Sequence, residues 1–531
     1  MTADSDLTGK RDGLLMVLDA GGGGGRCLLI DTTGREVSFA YRPWTMKTPE
    51  DNPMASVFDP DEWWGALVDA SREALAKATD GRPAGALDAA DVGRRVLAIS
   101  TTSLRDAAVF VDAGGQELYC GTNRDARAIG LGFEIAQNLG QTHWHITTRW
   151  PLGLDPAARL LWFKQTDPDL FGRVRHVLMI NSWLIYRLTG VASAEPTNAS
   201  SSGLFDVEKG VWSPELAAAH GFDAGLLPPL LWPGQVVGGL TPEAAQSFGL
   251  PPGIPVVAGP ADSQAGCLGS GAWEPGDTTV IAGTTVPVMQ VTDRPFRDPS
   301  HRIWMGAYAA PGRWVVESNG GMAGSVYAWY ASTFAGGAAP GGASVPPGSP
   351  ASPGSPAGHG PGVYDVLENE IEAAPPAQIQ AWLGPQVANF SSIPFPGEAT
   401  IKFPALGVFC TPTRGALARA VLENIAYAVK GNIEQLPEKP ALVRVCGGLS
   451  RSPSFVRLLA AVLGVPVVAP KLREATGTGA AIAAAVGAGV YPDLETAMKA
   501  MVALEEPCRP DPALTGPYGA GYATWRAGCP G

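Results

Sequence analysis

The sequence predicts an α/β fold with a duplicated core arranged as two lobes. Three observations carry this reading. An apolar run ending in a carboxylate, LLMVLD at residues 14–19, leads straight into five glycines and a second strand. The plan returns at residues 256–290, VVAGPADSQAGCLGSGAWEPGDTTVIAGTTVPVMQ: an apolar run, Asp262, a glycine-rich turn, then a strand closed by Gly283-Thr284-Thr285. Amphipathic helical stretches alternate with short apolar runs elsewhere, the pattern of strands covered by helices.

In chain order, CLLIDTTGREV (residues 27–37) reads as a strand, a turn at Thr33-Gly34 and a third strand, so a hairpin closes over the glycines. No Gly-Lys-Ser/Thr follows those glycines, which excludes a Walker P-loop. A strand rather than a helix follows them, which excludes a dinucleotide fingerprint. Residues 59–78 form a helix: Asp59 caps it, Pro60 suits its first turn, and Trp63, Leu67, Ala70 and Leu75 share one face. Residues 96–100 are a strand with TTSLRD beyond its end, and 107–111 with 117–119 form a hairpin turned at Gly114-Gly115. Arg105, Asp106, Asn123, Asp125 and Arg127 gather at two strand ends. They form either a solvated ion-pair patch or the fixed donors and acceptors that a hydroxyl-rich ligand needs.

Helices are expected at 155–166 and within 177–188, then a polar loop PTNASSSGLFD at 196–206. Strands at 303–309 and 313–318 precede a helix through Trp329. Residues 335–362 are almost wholly Gly, Pro, Ala and Ser, a low-complexity surface loop. A long helix spans 412–436, a strand 443–446 ends in Gly447-Gly448-Leu449-Ser450, and 474–489 is a small-residue helix able to pack closely. The tail after Pro507 reads as Pro/Gly-rich chain lying on the surface. The 531 residues exceed one core at ~100–200 residues per domain. The boundaries expected are 1–257, 258–497 and a tail, 498–531.

Composition narrows the function. Charged residues make up 17%, the net charge is −12, and no Lys/Arg run stands out, so nucleic acid is an unsuitable partner. No apolar run reaches the ~18 residues of a membrane span, and the N-terminus lacks a signal-peptide core. The seven cysteines are scattered and never spaced C-x-x-C, which points to a reducing, cytoplasmic setting and away from zinc. His143 and His145 share a stretch with no third ligand near. A carboxylate at one strand end and hydroxyl-bearing glycine turns at others suit phosphoryl transfer to an alcohol. The carboxylate accepts the alcohol proton, and backbone N–H groups hold phosphate oxygens.

At LDAGGGGGR, SLRDAAVF, NRDAR, NSWLIYRLTG, PTNASSSGLFD, GPADSQAGCLGSG, AGTTVP, RGALARAVLENIAY, CGGLSRSPSFVRLLAAVLGVPV and EATGTGAAIAAAVGAG, the chain resembles the FGGY family of carbohydrate kinases, over roughly residues 13–500. The resemblance implies the two-lobed actin-like, hexokinase-like (ribonuclease H-like) ATPase fold, with ATP and Mg²⁺ as cofactors and nucleotide between the lobes. It implies Asp262 as catalytic base and Asp19 and Asp262 near the metal. It places Gly21, Gly22, Gly23, Gly24, Thr284 and Thr285 at the phosphates, and Gly447, Gly448 and Ser450 at adenosine. Arg105, Asp106, Asp125 and Gln264 would face a small sugar or polyol: an autoinducer-2-like molecule, a ketose or a polyol. The expected partner is that small molecule, with a homodimer as an open possibility. Three departures stand out: Gly22 and Gly24 occupy positions where the family usually has Thr or Ser, Ser182 stands where it often has Asp, and residues 335–405 match poorly, so no role is carried over to them. The glycine-only loop keeps open a degenerate kinase acting as a sugar- or nucleotide-binding regulator. An actin-type chaperone or filament protein and a xylulose- or glycerol-type kinase are the other readings.

Overall fold

The computed structural model describes residues 12–79, 88–334, 363–389, 398–404 and 412–528. The low-complexity stretch 335–362 lies outside the described residues. The chain divides into two compact units, one of Met1–Trp273, Thr292–Val315 and Glu474–Ala503, the other of Glu274–Val291, Val316–Arg473 and Leu504–Gly531. These units do not follow the expected boundaries 1–257, 258–497 and 498–531. The reason lies in the first unit: the helix Asp262–Gly269 packs on Ala475–Gly487, which itself packs against the strands of the first sheet from far along the chain.

The first unit is built on strands β1 (Leu14–Ala20), β2 (Gly24–Asp31), β3 (Glu36–Pro43) and β4 (Val96–Ser103). With Pro255–Val257 and Val236–Gly239 they form one sheet, in the order Val236–Gly239, Pro255–Val257, β4, β1, β2, β3. β1 and β2 pair antiparallel with Ala20 opposite Gly25, so the glycines close a tight hairpin. β4 runs parallel to both β1 and Pro255–Val257, with Asp19 opposite Thr102 and Val257 opposite Ser100. Parallel strands bring their carboxyl ends to one edge, the edge where open α/β sheets bind ligands. Asp19, Arg105-Asp106 and the segment leading to Asp262 therefore converge from three separate stretches of sequence.

Burial holds this frame together. β1 is buried along its whole length. The helix Pro60–Lys77 begins as expected, with the Asp59 carboxylate accepting the amides of Asp61 and Glu62. Its Trp63 is fully buried between the rings of Trp44 and Phe58, at 4.0 and 3.9 Å between centroids. The helix Asp262–Gly269 meets Ala475–Gly487 through glycines: a Cβ on Gly269 would stand 1.9 Å from the carbonyl oxygen of Ala475.

In the second unit, the strands Trp314–Asn319, Pro287–Thr292, Thr278–Ile281, Val443–Cys446 and Val467–Val468 lie side by side in that order. Thr278–Ile281 and Val443–Cys446 run parallel with Ile281 opposite Cys446, so the turns after both emerge at one edge. The tail corrects the sequence expectation. Residues Pro512–Gly528 form a helix, with Tyr518 and Trp525 buried. The Trp525 indole N–H donates to Asn424 Oδ1 at 2.9 Å. Tyr518, Gly521 and Trp525 recur at helical spacing and put one face inside, which outweighs the glycines and Pro517.

Candidate active site

Asp262 opens the helix Asp262–Gly269. Its Oδ1 accepts the Ser263 amide at 2.7 Å and the Ser263 hydroxyl at 3.1 Å. The Arg105 Nε stands 4.0 Å from the same oxygen. The carboxylate still keeps an opening, with 37% of the side chain exposed. Burial pushes its pKa from 3.8 to about 6; Arg105 opposes the rise and the charge of Asp19 adds to it. A carboxylate poised near neutrality, with one face open, can take a proton from an alcohol.

Asp19 is buried beside it on β1. Its Oδ2 accepts from Arg26 Nη1 at 2.8 Å, while its Oδ1 is buried with no hydrogen-bond partner among the described residues. No cluster of three or more His, Cys, Asp or Glu side chains suited to a metal occurs among the described residues. One orphaned carboxylate oxygen without a cage fits a hydrated divalent cation, whose other ligands are water and phosphate.

The glycine loop between β1 and β2 is rigidly held. The Tyr41 hydroxyl donates to the carbonyl of Gly23 at 2.8 Å and the Trp44 indole N–H to that of Gly21 at 3.2 Å. The Gly21 amide closes on the Gly24 carbonyl at 3.2 Å, whereas the amides of Gly22 and Gly23 meet no acceptor among the described residues. Two such N–H groups in a tight turn form a concavity for an anion. Gly24 is required: a Cβ there would stand 2.4 Å from both the Arg42 carbonyl oxygen and the Tyr41 ring. Gly22 is not, because a Cβ there would meet only Met46 Cε, at 3.9 Å.

Asp106 has a φ of +63°, a region few non-glycine residues occupy. Neighbours hold it there. Its amide donates to Ser201 Oγ at 3.2 Å, and the fully buried Arg159 donates to its carbonyl. Its carboxylate pairs with Arg149 at 2.9 Å. Asp125 is fully buried, with Tyr119 Oη donating to Oδ2 at 2.9 Å and Arg127 Nε reaching both oxygens at 3.0 Å. Arg159 joins the two corners, since it also donates to the Thr122 carbonyl at 2.6 Å. Gln264 is buried, its Nε2 3.5 Å from the Ala307 carbonyl and its Oε1 without a partner among the described residues.

Residues unassigned from sequence complete the setting. Glu195 caps the short helix Pro196–Ala199 and accepts the amides of Thr197 and Asn198 and the Thr197 hydroxyl. Burial pushes the Glu195 carboxyl up to about 7. The Thr197 oxygen in turn accepts the Ala261 amide at 2.7 Å, one residue before Asp262. The polar string PTNASSS shows possible hydrogen-bonding groups but not what they join. His143 is buried, with Nδ1 2.9 Å from the Arg149 carbonyl.

In the second unit, Gly447 has φ +87°, and a Cβ there would stand 2.7 Å from the Ala282 carbonyl oxygen. Ser450 folds its hydroxyl back onto the Gly447 carbonyl at 2.7 Å. The Leu449 amide donates to the Ala282 carbonyl, which ties the two turns side by side, and the Gly283 amide closes its own turn on the Thr285 carbonyl. The side chains of Thr284 and Thr285 stay partly exposed.

Residues 14–269 match the FGGY family of carbohydrate kinases, N-terminal domain, and residues 278–488 its C-terminal domain. An autoinducer-2 kinase of Yersinia enterocolitica is 29% identical over 530 residues, covering 97% of this chain and 93% of that one. Among solved structures, a xylulose kinase from Rhodospirillum rubrum aligns with a TM-score of 0.77 at 24% identity, over 97% of this chain and 98% of its own. A Plasmodium falciparum glycerol kinase with ADP aligns with a TM-score of 0.77 at 16% identity, over 98% and 99%. These structures share the two-lobed fold.

Proposed function

Because the chain belongs to the FGGY family of carbohydrate kinases, we propose that it transfers the γ-phosphoryl of ATP to a hydroxyl of a small sugar-like acceptor, with Asp262 as the general base. The observation that carries the assignment is the open carboxylate of Asp262 beside Arg105, at the sheet edge that also presents Asp19. ATP supplies the phosphoryl group and Mg²⁺ neutralises its charge when they bind. Asp262 orients the acceptor hydroxyl and takes its proton. Asp19 holds the hydrated cation through Oδ1. The amides of Gly22 and Gly23 hold phosphate oxygens; in the second unit, Thr284 and Thr285 do the same and the turn 447–450 holds adenosine.

Asp106 and Gln264 contact the acceptor in this reading. Asp125, with both oxygens committed, acts by holding Tyr119 and Arg127 in place and not by touching sugar. The relatives named autoinducer-2 kinase favour an autoinducer-2-like acceptor over a ketose or a polyol.

The test is ADP release with ATP and Mg²⁺ over a panel of polyols, ketoses and autoinducer precursor, with calorimetric binding for wild type and Asp262→Asn. One acceptor should stimulate ADP release well above the others. Asp262→Asn should bind both ligands and lose ~10²–10⁴-fold in rate. ADP release that no acceptor stimulates would refute the proposal.

A further inference from the structure

Arg149 is fixed more firmly than an ion pair requires. Thr148, at φ +56°, locks to Met305 through its hydroxyl, which donates to the Met305 carbonyl at 2.6 Å and accepts the Met305 amide at 2.9 Å. The Arg149 amide donates to Thr147 Oγ1 at 3.1 Å, and its carbonyl lies 2.9 Å from His143 Nδ1. A carbonyl oxygen can only accept, so the ring donates there from Nδ1. This lock sets the Arg149 Cζ 4.0 Å from the Trp304 ring centroid, a cation–π contact that holds the guanidinium plane.

So held, Arg149 gives one nitrogen to Asp106 Oδ1 at 2.9 Å. Both side chains keep an opening, 14% and 25% exposed. A guanidinium beside a carboxylate oxygen is a matched donor–acceptor pair. It fits two oxygens on neighbouring carbons: a hydroxyl gives its hydrogen to Asp106 while the adjacent hydroxyl or carbonyl oxygen accepts from Arg149. Asp106 directly follows Arg105, which stands beside Asp262.

We propose that Arg149, held by Trp304 and paired with Asp106, is a specificity-determining residue that selects acceptors carrying a vicinal diol or an α-hydroxyketone next to the phosphorylated end. The proposal rests on Asp262 marking the site of transfer. The pair would read the acceptor's oxygen pattern, while the base acts on the hydroxyl that becomes phosphorylated.

The experiment compares full-length wild type, Arg149→Gln and Arg149→Lys with autoinducer precursor, D-xylulose and glycerol, all of which carry adjacent oxygens, and with 1,3-propanediol, which does not. Arg149→Gln should raise the acceptor KM for the first group roughly 10–100-fold, the loss of one or two charge-assisted hydrogen bonds. It should leave kcat and the KM for ATP within about threefold and erase the preference over 1,3-propanediol. Arg149→Lys keeps the charge opposite Asp106 but not the planar fork, so it guards against misfolding and should lose part of the preference. Folded variants with wild-type acceptor KM and preference would overturn the proposal, as would equal losses in kcat and in both KM values. The readings fail separately. An active Asp262→Asn removes the base, while an unchanged Arg149→Gln removes only the specificity role.

Discussion

Replacing Asp262 by Asn should make the protein more stable as well as inactive. A carboxylate whose pKa rises from 3.8 to about 6 on folding is protonated more readily in the native state than in the unfolded chain. Below pH 3.8 both states carry the proton and the group costs nothing. As pH rises through about 6, the native protein must hold an anion that the unfolded chain would hydrate better, and the cost is then complete. The interval corresponds to about 3 kcal/mol at ~1.36 kcal/mol per pH unit. Because 37% of the side chain is exposed, solvent screening reduces this to roughly 1–2 kcal/mol. Asn keeps an oxygen for the Ser263 amide, so the local turn survives. At pH 8 the variant should melt a few degrees above wild type, and the gain should shrink between pH 6 and pH 4. Thermal melts of both proteins across that range, alongside turnover, decide the matter. An Asn variant that is less stable at every pH would mean that its partners favour the carboxylate more than burial opposes it. A variant that still turns over would move the base elsewhere, with Asp19 the next candidate.

The same pKa predicts that kcat/KM falls below about pH 6 as Asp262 gains a proton, which a pH–rate profile with one acidic limb would record. In the glycine loop, Gly22→Thr should fold normally and tighten ATP by about 0.5–1.5 kcal/mol in calorimetry through one added hydroxyl. Gly24→Ala should instead disrupt the hairpin and lower the melting temperature, because its methyl would overlap the Arg42 carbonyl and the Tyr41 ring. Thr197→Val should cost about 1–3 kcal/mol of stability, since it strips the Ala261 amide of its acceptor, and should slow turnover in the same preparation. Trp525→Ala should cost about 3–5 kcal/mol in denaturant titration, with no local effect on the Asp262 site.

The legible parts of this chain were those governed by local chemistry. Asp59 ahead of Pro60 and the Trp63-Leu67-Ala70 stripe specify the helix that forms. Asp19 and Asp262 stand out because each sits where an apolar strand meets glycines. In the tail, Pro517 and the glycines mask the helical spacing of Tyr518 and Trp525. The NRDAR cluster showed polar residues but not their fate: Asp125 and Arg127 are a buried pair stacked among Tyr119, Trp162 and Phe163. Arg149 could not be singled out at all. Its place depends on a pairing between Thr148 and Met305, and on Trp304 lying over it, contacts made across more than a hundred residues. Thr197 and Ala261 are joined in the same way. Sequence patterns report what a residue does to its own turn or strand, and these residues act across the fold.

The seam between Asp262–Gly269 and Ala475–Gly487 also has a temporal consequence. A Cβ on Gly479 would stand 2.0 Å from the Ala265 carbonyl oxygen, so these two helices interlock at backbone distance and each is the other's cover. About 200 residues separate them along the chain. At ribosomal rates of ~5–20 residues per second, the earlier helix waits on the order of ten to forty seconds for its cover. The first unit, although all strands of its sheet are encoded by residue 257, is therefore completed almost last. Until residue 487 has emerged, the helix that opens with Asp262 lacks its cover, and a nascent chain released before residue 474 has no means of supplying it.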